Sequence, residues 1–266
     1  MANASAIRPP ASALDNGEVE SAATAAPPAD RPRLRWLDLV PVLLVTIAGA
    51  ILIFGIVVAL ARLSPTAYHA NRETIALLAT LAIYLAFGAG ISLGLRRLRA
   101  PLSYIALFRP TARDFGLTLL LILPWYIGVG MVTAVSSALF NGGQLLPSNA
   151  RRLFVERPQG LGTLVLALLV TAVAAPLCEE VFFRGMLFRL LRRRLPFVLA
   201  VIASAIAFGL AHASPAVSPA LLPVFAYMGI ALALLYSWTG RLTSTVLLHA
   251  LNNAIGTVTV FLLMTG

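Results

Sequence analysis

Residues 163–188 read TLVLALLVTAVAAPLCEEVFFRGMLF, and three charged residues, Glu179, Glu180 and Arg184, stand inside this otherwise apolar run. A membrane-crossing helix needs roughly 20 mostly apolar residues, so the stretch is long enough to span. Hydropathy alone would end the span before the carboxylates. Ionisable groups at membrane depth are costly and mark functional sites by default. Glu180 and Arg184 are spaced i, i+4 and can pair on one helical face. Glu179 points about 100° away and is left without that partner. Pro176, three residues before Glu179, lacks an N–H and frees a carbonyl, so the helix is expected to kink or open beside the carboxylate.

The rest of the chain has the same character. Of its 266 residues 59% are hydrophobic and 11% charged, against about a quarter charged in a soluble domain. The mean hydropathy of +0.90 agrees. The apolar residues fall into seven blocks, about 37–61, 74–95, 115–140, 163–188, 197–213, 220–238 and 243–264. The expected fold is an all-α, polytopic bundle of about seven transmembrane helices, or eight if a re-entrant piece lies in 141–162. Soluble nucleotide-binding enzymes, disulfide-stapled secreted domains and disordered chains are excluded. One cysteine, Cys178, allows no internal disulfide. Residues 1–35 are rich in Ala and Pro and lack an apolar signal-peptide core; they read as a disordered cytoplasmic tail ahead of a transmembrane domain over 36–266.

All 20 basic residues are arginine, and the formal net charge is +10. The arginines flank apolar runs, so the charge is read as topology signalling and not as nucleic-acid binding. With the N-terminus inside, 15 arginines fall on the inner side and 5 on the outer. That split orients the first span and places 184–194 at the cytoplasmic edge. Gly90 and Gly94 form a GxxxG pair, a weak helix-packing signal.

Two further polar groups lie within apolar blocks. Phe208 and His212 share a helical face, as do His249 and Asn253. Each motif alone has a structural explanation: a buried ion pair, a helix-end histidine, an interhelical hydrogen-bond clamp. Depth connects them. At ~1.5 Å rise per residue, Glu179 lies ~22 Å from Arg194 (~15 Å from Arg189), His212 ~22 Å from Phe197, and His249 and Asn253 ~12 and ~18 Å from Arg241. An acid, two imidazoles and an amide can therefore meet in one layer, as a water-activating site requires.

In this order, Glu179-Glu180 with Arg184, Phe208 with His212, and His249 with Asn253 resemble the EExxxR, FxxxH and HxxxN motifs of the CPBP family of intramembrane proteases. That family includes type II CAAX prenyl endopeptidases and Abi-like, bacteriocin-immunity proteins. The resemblance covers about residues 160–257, and Gly185 after Arg184 also suits it. It implies an intramembrane endopeptidase acting on a membrane-associated peptide or protein within the lipid bilayer. Glu179 would act with His212 on water, His249 and Asn253 would hold the oxyanion, and Glu180, Arg184 and Phe208 would support the site. A glutamate-type mechanism without a cofactor is expected; Glu, His and His are also legitimate zinc ligands, so a zinc enzyme stays open as the alternative. The rival from another class is a non-enzymatic membrane protein, a transporter or an immunity scaffold. The Ala- and Arg-rich composition points to a GC-rich bacterial genome, an inner-membrane location and an unprenylated substrate.

Overall fold

The computed structural model describes residues 33–98, 100–144, 160–213 and 217–265. Residues 1–32 of the tail, most of the 141–162 segment and with it the re-entrant piece lie outside the described residues; the last three tail residues, 33–35, are described, and Leu34 is buried. Each of the seven apolar blocks forms a helix: α1 Trp36–Leu63, α2 Arg72–Leu95, α3 Ala112–Phe140, α4 Gly160–Arg192, α5 Phe197–Ala211, α6 Leu222–Thr239 and α7 Leu242–Thr265. No strand occurs among the described residues. Six of the helices, counting a 3₁₀ turn Pro219–Leu221 ahead of α6, are long and apolar enough to cross a membrane. The chain is a multi-pass integral membrane protein. The fifth block differs from its expected 197–213 span: α5 has 15 residues, about 22 Å of helix against roughly 30 Å of hydrocarbon. It ends where His212 begins, so that histidine is carried at a helix end within the bundle's depth.

The outer faces of α1 and α3 present large apolar side chains, among them Leu44, Ile51, Phe54, Leu119 and Leu123. Lipid tails match such surfaces, so helix association has to come from close packing and polar contacts. Both are present. The GxxxG pair of α2 lies against the start of α1: a Cβ on Gly90 would stand 2.9 Å from the Val42 Cα, and one on Gly94 would strike the Asp38 carbonyl. Gly229 of α6 meets α5 in the same way, 2.8 Å from the Ala205 Cα.

The arginine-rich end is laced together by ion pairs. Asp38 accepts the Arg35 N–H at 2.6 Å and pairs with Arg97 at 3.2 Å. Asp114 caps α3 with Thr111 and accepts from Arg241 at 2.9 Å and Ser244 at 2.6 Å. Gly240, at φ 64°, closes the turn between α6 and α7 in the left-handed conformation that glycine adopts freely. Arg193 donates to the Leu34 carbonyl at 2.5 Å and to the Tyr104 hydroxyl. These contacts gather the starts of α1, α3 and α7 and the end of α4 at one end of the bundle, as the charge count requires.

Helix α4 does not break at Pro176. Two π-helical stretches, Leu169–Ala174 and Val181–Phe188, enclose a short α-helical segment, Ala175–Glu180. The missing proline N–H falls where the hydrogen-bond register changes, and π stretches of this kind concentrate at functional sites. The wider turns alter which face each α4 side chain presents.

Candidate active site

Glu179 and Glu180 leave α4 in different directions and are both buried. Glu180 is part of the expected ion pair: its Oε1 accepts from Arg184 Nη1 at 2.8 Å, both side chains being fully enclosed. Arg184 also donates to the Gly229 carbonyl at 3.0 Å and lies over the Phe208 ring, 4.6 Å from its centroid. The same Glu180 oxygen accepts from His249 Nδ1 of α7 at 3.0 Å. Sequence spacing within one helix could not show this link.

Glu179 has a different partner set. The Tyr84 hydroxyl of α2 donates to its Oε1 at 2.6 Å. Its Oε2 faces two imidazoles, 3.7 Å from His212 Nε2 and 3.8 Å from His249 Nε2. That oxygen is buried and accepts no hydrogen bond from the protein. The tautomers follow from the second ring nitrogens. His249 Nδ1 lies against a carboxylate, and His212 Nδ1 lies 2.8 Å from the Phe208 carbonyl. Both neighbours are acceptors, so both Nδ1 atoms are donors, and in the neutral imidazole each Nε2 presents a lone pair. One carboxylate oxygen thus has an Nε2 atom of each histidine within 3.8 Å.

Aromatic rings set the imidazole planes. His212 stacks on Phe225 at 4.4 Å with planes 21° apart, and Phe208 contacts both histidines, at 4.6 and 5.9 Å between centroids. His212 is the more open of the two, with 20% of its side chain exposed against 3% for His249. His212, at the end of α5, is thus the more exposed imidazole of the cluster.

Asn253 lies one turn beyond His249 on α7. Its amide nitrogen donates to the Thr171 carbonyl at 2.8 Å and its amide oxygen accepts from Asn252 at 3.0 Å. Thr171 belongs to the first π stretch, where the altered register leaves carbonyls for outside donors. Among the residues singled out from the sequence, Glu179, Glu180, Arg184, Phe208, His212 and His249 form one contact cluster. Asn253 joins it through its helix and holds α4 to α7. Sequence reasoning missed Tyr84; the available signal was a phenol in the middle of the apolar 74–95 block, which needs a partner at that depth.

A zinc ion would ask for tetrahedral ligands at about 2.0–2.1 Å, hence donor atoms about 3.3 Å apart. The separations of 3.7 and 3.8 Å are wider. Among the described residues no group of three or more His, Cys, Asp and Glu is arranged to hold a metal ion.

A bundle of apolar helices enclosing two acids and two histidines in one cluster defines a class of membrane-embedded protein with a buried polar site. Comparison with known proteins makes this specific. Residues 161–255 match the family model described as type II CAAX prenyl endopeptidase Rce1-like, and they carry every motif residue named above. The chain is also 28% identical over 157 residues to the membrane-embedded CAAX protease MroQ of Staphylococcus aureus (strain USA300), covering 54% of this chain and 59% of that protein. Residues 161–255 are therefore similar to the type II CAAX prenyl endopeptidase Rce1-like domain, and the chain spans 59% of the length of the curated relative it matches. No solved structure matches the chain.

Proposed function

We propose that this protein is an intramembrane endopeptidase in which Glu179 activates water against a peptide carbonyl of a membrane-associated peptide or protein. The observation that carries the reading is the approach of His212 Nε2 and His249 Nε2 to the buried, unpartnered Glu179 Oε2, three acceptors when both imidazoles are neutral. A hydrolytic water donates two protons and so answers two of the three at once. Held there, its oxygen is aimed by the groups that take its protons, the arrangement general-base catalysis requires.

The step balances as follows. The water oxygen bonds to the scissile carbonyl carbon while one proton passes to Glu179. The carbonyl oxygen becomes an oxyanion. On collapse the C–N bond breaks, and the proton held by Glu179 goes to the leaving nitrogen. Glu180 keeps the His249 Nδ1–H engaged and so keeps Nε2 aimed at Glu179. His249 can give a hydrogen bond to the oxyanion only after it takes a proton, so Asn253 is the neutral donor for that charge. The Tyr84 bond occupies Oε1 and leaves Oε2 as the basic atom.

The glutamate-type mechanism is favoured over a zinc enzyme on the ligand spacing described above. The likeness to a CAAX protease supports peptide-bond hydrolysis, and the apolar surround supports a substrate presented from the bilayer. The test is cleavage of a peptide library by purified protein in liposomes. Release of defined products that is absent in Glu179→Ala supports the reading. Equal cleavage by the variant, or no cleavage of any peptide, counts against it.

A further inference from the structure

We propose that Trp125 is a positioning residue: through Asn252 it sets which way the Asn253 amide faces. The inference rests on the reading that Asn253 donates to the oxyanion. It draws on a residue outside the 161–255 match.

Trp125 of α3 is buried, and its indole Nε1 donates to Asn252 Oδ1 at 2.9 Å. Asn252 Nδ2 donates to Asn253 Oδ1 at 3.0 Å, and Asn253 Nδ2 donates to the Thr171 carbonyl at 2.8 Å. The chain of bonds therefore runs in one direction, from α3 across α7 to α4. An amide can turn end for end with almost no change of shape, so only its partners decide the orientation. The two ends of this chain are single-minded. An indole N–H only donates, and a backbone carbonyl only accepts.

With Trp125 donating, Asn252 must offer its oxygen to α3 and its nitrogen to Asn253. Asn253 must then receive on oxygen and give from nitrogen. A primary amide nitrogen carries two hydrogens, and Thr171 takes one. The second N–H is presented by the same helix that carries His249 one turn away. The Tyr126 hydroxyl adds a bond to the Asn252 carbonyl at 3.2 Å, tying the backbone of α7 to α3. At membrane depth water does not replace a lost partner, so the satisfied direction is the populated one.

Without the indole donor, the Thr171 carbonyl alone holds the direction of the chain, and Asn252 loses the partner that rewards an oxygen facing α3. Turned over, it sets its own oxygen against that of Asn253 and competes with the Thr171 bond. Part of the population then carries the Asn253 amide end for end, and on the proposed role of Asn253 that part lacks the oxyanion donor.

The experiment is a double-mutant cycle on the full chain in liposomes, with Trp125→Phe, Asn253→Ala and the pair. Phenylalanine keeps an aromatic ring in the contact with Tyr227. Trp125→Phe should lower kcat roughly 3- to 10-fold with KM unchanged, the range for one lost neutral hydrogen bond. The pair should be no slower than Asn253→Ala alone. Losses that multiply, or a wild-type kcat for Trp125→Phe, overturn the proposal. A second measurement does not need activity. The chain has three tryptophans, and the indole N–H resonance lost in Trp125→Phe assigns Trp125. That resonance should move upfield in Asn252→Leu; no movement overturns the proposal. If Asn253→Ala is fully active while the resonance moves, the oxyanion reading fails and the hydrogen-bond chain stands.

Discussion

Replacing Glu179 with glutamine distinguishes a catalytic carboxylate from a structural one, because the two roles predict opposite signs for stability. In the native site Oε1 accepts from Tyr84, and Oε2 faces two imidazole lone pairs at 3.7 and 3.8 Å. The Tyr84 hydroxyl keeps the glutamine oxygen on its side. The amide nitrogen then takes the place of Oε2 and offers one N–H to each histidine. Once the side chains close by roughly 0.6 Å to reach hydrogen-bond distance, each neutral bond contributes at the low end of its range of about 0.5–1.5 kcal/mol, about 1 kcal/mol for the two. For a chain of this size that is a rise of about 2–4 °C in Tm. Turnover should fall by at least 10²–10⁴, the usual contribution of a general base. If Glu179 instead formed a structural ion pair with protonated histidines, removing its charge would cost about 3–5 kcal/mol and lower Tm by many degrees. The assay is thermal unfolding in detergent beside peptide cleavage in liposomes. A variant that loses stability, or that keeps its turnover, would refute the reasoning.

Other substitutions and conditions have expected outcomes of their own. Tyr84→Phe removes one bond to a carboxylate, about 1.5–3 kcal/mol, and should lower kcat/KM about 10- to 150-fold in the same cleavage assay. Glu180→Leu strands the buried Arg184 charge and releases His249; unfolding measurements should show a loss of about 3–5 kcal/mol together with lost activity. Metal analysis of purified, active protein should find no stoichiometric zinc, and a membrane-permeant chelator should leave turnover unchanged. Zinc at one per chain, with activity lost on its removal and regained on its return, would reverse the choice of mechanism. With Cys178 replaced, a single cysteine at position 192 should be labelled from the cytoplasmic side only; labelling from outside intact cells would overturn the topology.

The apolar blocks were legible in the linear sequence because the bilayer imposes a length on every crossing helix. The bounds moved by a few residues, and the block at 197–213 shortened to Phe197–Ala211. The Glu180–Arg184 pair, the Gly90–Gly94 packing surface and the shared depth of Glu179, His212 and His249 were legible for a related reason. Each depends on spacing within one helix or on rise per residue, and both are properties of local geometry. What the spacing could not contain is which face meets which neighbour. The Tyr84 bond to Glu179, the Glu180 bond to His249 and the capture of Asn253 by the Thr171 carbonyl each join different helices. The π-helical stretches of α4 add a second reason: they change the angular relation between side chains that an α-helical count assumes. So the residues present and their depth were local matters. The Phe208 carbonyl engages His212 within its own helix, whereas the Glu180 bond to His249 and the approach of both imidazoles to Glu179 were decided by how the helices pack.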